Sequence, residues 1–191
     1  MDPHPEFNTK IVLKDDGTIQ YEGRDWSLIT SGENVRGCIP FIPDSMKTYC
    51  LDVSIISGVT NGDLVIGLGP SETYFLQMIG IMANTIGYCG TNGCIYNGSE
   101  DPIATTDTYK DGDVVGYELS TMQLKKGRNY RSCRFRKNGK YVGPSIWVDN
   151  TTYMYPYISF QKPGSHVKPS VTVNCKCRAP QYNLGTKNYQ N

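Results

Sequence analysis

Apolar and polar residues alternate with a period of two along much of this chain, in short runs broken by Gly, Asn and Asp. That period places successive side chains on opposite faces of an extended strand. Tyr49 to Ile56 is one such strand, with Leu51, Val53 and Ile55 on one face and Cys50, Asp52 and Ser54 on the other. Asp63 to Leu68 (ended by Gly69-Pro70), Asp113 to Leu119, Tyr155 to Phe160 and Val171 to Cys175 read in the same way. Hairpins are expected where such runs flank a turn. Lys10 to Leu13 and Thr18 to Tyr21 enclose Asp15-Asp16-Gly17, and Thr85 to Tyr88 and Cys94 to Tyr96 enclose Thr91-Asn92-Gly93. Tyr130 to Arg136 and Tyr141 to Val142 enclose Lys137-Asn138-Gly139-Lys140, and Asn-Gly in that setting is the strongest short-range hairpin signal. Phe75 to Met82 carries a weak helical pattern, and Ser120 to Tyr130 reads as a long loop. Many short strands with turns between them predict an all-β fold, an antiparallel β-sandwich or barrel. One domain is expected over residues 10–177, with a leader or vector-derived scar at 1–9 and a polar C-terminal extension at 178–191.

Composition agrees. The chain has 191 residues with Gly 20 and Tyr 14, and it is poor in the helix formers Leu and Ala. A formal net charge of +1 supplies no field to draw nucleic acid or an anionic membrane. No apolar run approaches the roughly 20 residues that span a bilayer, so membrane insertion is not expected. Met1 to Phe7 lacks the basic and apolar regions of a signal peptide, which points to the cytoplasm; a leader removed earlier would make the protein secreted instead. Seven cysteines, an odd number at irregular spacing, predict reduced and mostly buried thiols rather than a disulfide framework. Cys89 and Cys94 flank a turn and are candidates for a cross-hairpin pair, while Cys175 and Cys177 share one strand face. His166 alone does not complete a zinc set, so neither metal nor other cofactor is expected.

A series of short motifs then resembles one family. Val35-Arg36, Ile39-Pro40 and Tyr49-Cys50-Leu51-Asp52-Val53 are similar to the opening of a SPRY (B30.2-like) domain. Ile66-Gly67-Leu68, Gly87-Tyr88 with Gly93, Tyr96 and Gly98, and Gly112 to Gly116 resemble its next elements. Phe135 to Gly143 resembles its Asn-Gly hairpin, and Tyr155 to Ser159 its Tyr-Pro strand. The order is the family's, and the spacing is closest to the Ran-binding-protein-9 type. The resemblance implies two antiparallel sheets in a concanavalin-like jelly-roll sandwich that binds proteins through loops at one edge. One subfamily, with a SOCS box, binds Asn-rich peptides partly through Val-Trp-Gly after the Tyr-Pro strand. The matching stretch here is Phe160-Gln161-Lys162, a departure that puts that specificity aside.

On this reading the partner is a protein or peptide, there is no small-molecule substrate, and the isolated domain is a monomer. The candidate contacts are Arg24, Asp25, Tyr74, Tyr88, Phe160, Gln161 and Lys162. They are loop aromatics, arginines and their neighbours, the types that anchor interfaces. Tyr88 buried against Tyr96 is the structural alternative. A second candidate is a basic patch at Arg131, Arg134, Arg136 and Lys137, within a stretch from Lys125 to Lys140 that contains no acid. It suits an acidic partner segment, or it is the solvated face of an edge. Catalysis is not expected. His4 and His166 are the only histidines available to activate a nucleophile. Asp111 and Asp113, spaced like a carboxylate pair, read better as turn residues, and Glu118 faces away from them. Asn97-Gly98-Ser99 and Asn150-Thr151-Thr152 are glycosylation sequons that matter only in the secretory pathway. The expected role is an interaction module within a scaffold, ubiquitin-ligase or signalling protein, with a secreted SPRY effector or lectin-like protein as the alternative.

Overall fold

The alternating runs fold as strands. A computed structural model describes residues 11–22, 33–36, 40–42, 47–59, 64–71, 77–123, 129–148, 150–161 and 163–173. The strands are β1 (Ile11–Leu13), β2 (Ile19–Tyr21), β3 (Glu33–Arg36), β4 (Tyr49–Ser57), β5 (Leu64–Gly69), β6 (Ile86–Cys89) and β7 (Cys94–Asn97). They continue with β8 (Ala104–Thr105), β9 (Val114–Gln123), β10 (Asn129–Lys137), β11 (Lys140–Val148), β12 (Tyr155–Phe160) and β13 (His166–Val173). All the pairings are antiparallel and form two sheets, in the orders β1-β2-β13-β4-β9-β10-β11 and β3-β12-β5-β6-β7-β8. Among the described residues no helix is long and apolar enough to cross a membrane.

The main core lies between the sheets. Leu51, Val53 and Ile55 of β4 meet Val115, Tyr117 and Leu119 of β9, Cys133 and Phe135 of β10, and Leu64, Ile66 and Leu68 of β5. β5 is buried on both faces, because a second cluster covers the outside of its sheet. There Met78 and Ile79 pack on Val65, Cys89, Tyr96 and Tyr157. The segment sits so close that a Cβ on Gly87 would stand 2.3 Å from the Ile79 carbonyl oxygen, which only glycine allows. It is pinned by the Ile79 amide donating to Ser159 Oγ (3.0 Å) and Asn34 Nδ2 donating to the Gln77 carbonyl (2.7 Å). Its described part, from Gln77 to Met82, forms turns, so the weak helical pattern there is not realised.

Register sorts the connections between two ends of the sandwich. His166 stands opposite Ser57 and Gln20, and Phe160 opposite Leu64 and Glu33. The C-terminal ends of β2, β4, β6, β8, β10 and β12 therefore lie at one end, called here the loop end. The opposite end holds the β1–β2 turn, the starts of β4 and β10, and the connections after β7 and β11. Residues 150–154, in the last of these, are tied to the body by the Phe41–Met154 bridge.

Candidate functional site

At the loop end, three of the seven nominated side chains belong to the core. Tyr88 is fully buried (0% exposed), its ring 5.1 Å from that of Tyr109 and 5.6 Å from that of Phe135, and its hydroxyl donates to the Asp107 carbonyl. It points inward on β6, whereas Tyr96 belongs to the cluster on the other face, so the two do not pack as a pair. Phe160 is buried and stacked on Tyr21 at 5.3 Å. Gln161, also buried, accepts from Thr91 Oγ1 at 3.2 Å and lies 3.8 Å from Met78 Sδ, closing the interior beneath the loops. Inward parity, which sequence numbering alone does not reveal at a strand end, removes these three from the surface. Arg24, Asp25, Tyr74 and Lys162 lie outside the described residues.

Among the described residues the basic stretch is not a continuous cationic patch. Arg131 is 1% exposed, and its guanidinium donates to the Thr152 carbonyl at 2.9 Å. Arg134 and Arg136 do share the outer face of β10, as their alternation predicts. Arg134, however, lies over the Tyr141 ring at 3.9 Å, and Arg136 forks onto both carboxylate oxygens of Asp52 at 3.0 and 3.2 Å. Gly116, opposite both Asp52 and Arg136, offers no side chain to obstruct that reach. Lys137 meets Asp113 at 3.6 Å and donates to the Thr108 carbonyl at 2.6 Å. Two acids remote in sequence, Asp52 and Asp113, thus answer Arg136 and Lys137.

The carboxylate pair serves the backbone. Asp111 accepts from the Gly58 and Val59 amides at 3.1 and 2.7 Å. Asp113 accepts from the Lys110 amide at 3.0 Å and Asn138 Nδ2 at 2.8 Å. Glu118, on the outer face of β9, accepts from Ser120 and Tyr141 at 2.6 and 2.8 Å. Among the described residues no group of three or more His, Cys, Asp and Glu is arranged to hold a metal ion.

The cysteines correct the sequence reading in two respects. Cys89, Cys94 and Cys133 are free, so no bond crosses the β6–β7 hairpin. Cys50, buried on the outer face of β4, is disulfide-bonded, and its partner lies outside the described residues. The chain therefore does not carry reduced thiols throughout.

The opposite end holds a feature that the sequence reading passed over. Trp147 on β11 is 61% exposed, the most exposed of the large apolar side chains among the described residues. Its ring meets that of Tyr130 edge-on at 5.4 Å. Beside it opens a pocket of about 160 Å³, lined by Asn84, Ile86, Asn97, Trp147, Val148, Thr152 and Met154. Tyr153, 53% exposed, stands in the same connection as Thr152 and Met154. The sequence signal was the alternation Ile146-Trp147-Val148, hidden because Gly143-Pro144 looked like the end of the strand. In fact these residues bulge within it: Cys133 pairs with Ile146 and Phe135 with Val142, so β11 continues past the kink.

No protein-family model matches the sequence. Among curated proteins, the Ran-binding proteins 9/10 homolog of Drosophila melanogaster is 30% identical over 134 residues, covering 70% of this chain and 13% of that protein. SPRY domain-containing protein 3 of Homo sapiens is 25% identical over 167 residues, covering 83% of this chain and 34% of that protein. The chain thus spans between 13% and 34% of the length of these relatives. Among solved structures, a human SPRY domain superposes with a TM-score of 0.66 at 20% identity, covering 84% of this chain and 94% of that one. With the motifs in family order and both sheets in place, the chain is a SPRY-type β-sandwich, related in sequence to Ran-binding proteins 9 and 10 and to SPRY domain-containing protein 3.

Proposed function

We propose that this chain is a protein-interaction module that binds a peptide or flexible segment of another protein through connections at one end of the sandwich. Its setting is a larger scaffold, ubiquitin-ligase or signalling protein. The observation that carries the reading is the convergence of six strand ends, from both sheets, on one end of a closely packed frame. A frame of that kind holds loops in fixed geometry and limits the ordering entropy that binding costs. In the sequence Arg24 and Asp25 follow β2, and Lys162 follows β12, two of the strands that end there. The test is recovery of partners from a cell extract by the immobilised domain, compared with the Arg24→Ala/Lys162→Ala variant and quantified by mass spectrometry. The reading expects a specific partner whose recovery falls about thirtyfold in the variant, the effect of removing an interface anchor. Equal recovery by both proteins, or no specific partner, refutes it.

The disulfide at Cys50 favours a second setting, in which the same module works in an oxidising compartment as a secreted SPRY effector or lectin-like protein. The two settings differ in a count. A cytoplasmic protein, unfolded without reductant, titrates as all seven cysteines, and the secreted one as at least two fewer.

A further inference from the structure

We infer that the pocket beside Trp147 is a second contact site, one that seats a single uncharged side chain, of Leu, Met or Phe type, from a peptide segment of a partner protein. The inference rests on the interaction-module reading above and adds a site at the end opposite the strand ends that Arg24, Asp25 and Lys162 follow. The chemistry of the lining selects the occupant. Ile86, Val148 and Met154, all buried, supply an apolar base, and among the described residues no Asp, Glu, Lys or Arg lines the pocket. A charged group placed there would lose its water and gain no counter-charge. At about 160 Å³ the pocket falls below the roughly 300–1,000 Å³ that encloses a drug-sized ligand, and suits one anchoring side chain. Asn84 and Asn97 stand exposed in its lining. Each side-chain amide offers a donor and an acceptor, the complement of a peptide group on either side of the anchor. Met154 adds a base that adapts to side chains of different shape.

Trp147 makes the site energetically useful. Exposed tryptophan and tyrosine beside a pocket are the residues that most often dominate an interface. Trp147 and Tyr153 expose 61% and 53% of their surface there, and Tyr130 holds the Trp147 ring from the side. The connection carrying Thr152 and Met154 is anchored from within: buried Arg131 donates to the Thr152 carbonyl, and Met154 bridges to Phe41. The site is therefore formed before a ligand arrives.

The test selects peptides from a phage-displayed random dodecapeptide library on the intact domain and measures their affinity for variants. The selected peptides should share one apolar residue at a fixed position and shift the tryptophan emission of a Trp26→Phe variant, in which Trp147 is the single tryptophan. They should bind Trp147→Ala about thirtyfold more weakly. Asn97→Lys, which places a charge in the lining without touching the core, should weaken them as well, while Arg24→Ala/Lys162→Ala should leave them within about twofold. Thermal melts of each variant check that the fold is intact. Peptides that bind Trp147→Ala normally but fail on Arg24→Ala/Lys162→Ala overturn this site and leave the interaction-module reading standing. A library that yields no binder overturns both. Concentration-dependent dimerisation abolished by Trp147→Ala would make a second copy the occupant, and a Trp147 emission shift with neutral oligosaccharides but not peptides would make it a sugar; either result overturns the peptide.

Discussion

Asp113 shows what a carboxylate does in this molecule. It precedes β9, accepts from a main-chain amide and from the Asn138 side chain, and forms an ion pair with Lys137. Partial burial pushes its pKa up, but the Asn138 amide, the Lys110 amide and Lys137 outweigh that and hold it below the ordinary value of 3.8. A carboxyl group lowered in the folded state binds fewer protons there than in the unfolded chain. Its contribution is complete above the ordinary value and is withdrawn as pH falls through the folded one. Asp16, lowered by bonds from Thr18, adds in the same sense. Melting temperature should therefore drop between about pH 5 and about pH 3, and Asp113→Asn should drop less over that interval than the parent protein. Equal slopes would show that Asp113 is not a source of the acid sensitivity. From sequence, Asp111-Gly112-Asp113 is legible as a turn, but the amides that these carboxylates serve lie on other segments and are not.

At the scale of elements, the β10–β11 hairpin concentrates the local information. Asn138 and Gly139 both adopt left-handed backbone, φ 51° and 76°, as a tight two-residue turn requires. Asn138 adds side-chain bonds to Asp113 and from the Val114 amide, joining the hairpin to the entry of β9. Asn138→Ala loses both bonds and strains the backbone, which together should cost about 2–3 kcal/mol in urea unfolding. Asn138→Gly keeps the turn and should cost about 1 kcal/mol. Equal losses would mean that backbone strain is not part of the cost. The same chemistry explains which elements were legible. The hairpins announce themselves through Asn, Asp and Gly, and β4 through its alternation. Two strands were read short at a proline. β11 passes Pro144 in a bulge at an exposed edge, and β13 passes Pro169 beyond Val167, where its pairing with β2 has ended. The expected loop from Ser120 to Tyr130 is largely strand, since β9 runs to Gln123 and β10 starts at Asn129. The polar residues Ser120 and Ser132 face one another on the outer surface of the sheet, where alternation permits them and a hydrophobic pattern gives no warning.

For the molecule as a whole, sequence and structure divided the candidate surface unevenly. Aromatics, arginines and their neighbours were nominated as loop contacts, and three of them, Tyr88, Phe160 and Gln161, are buried. Trp147 was passed over because its strand was cut short. Pairing across distant strands decides both outcomes, and it decides the cysteines too. Nothing local to Cys50 distinguishes it from Cys133, which is buried and free. Cys133 faces the core, where burial raises its thiol pKa far above the ordinary range and suppresses reactive thiolate. Cys50 faces the outer side of β4, across from Glu118 and Thr172, and is bonded. A disulfide typically contributes about 2–4 kcal/mol, and in a chain of this length each kcal/mol moves the melting temperature by about 2–4 °C. Reductant should therefore lower the melting temperature by about 4–16 °C. Cys50→Ser should melt low and respond less to reductant than the parent, whereas Cys89→Ser and Cys94→Ser should keep the full response. A parent protein whose melting is indifferent to reductant would return Cys50 to the reduced state expected from sequence. The secreted setting would then lose the observation that favours it, and the cytoplasmic one would stand.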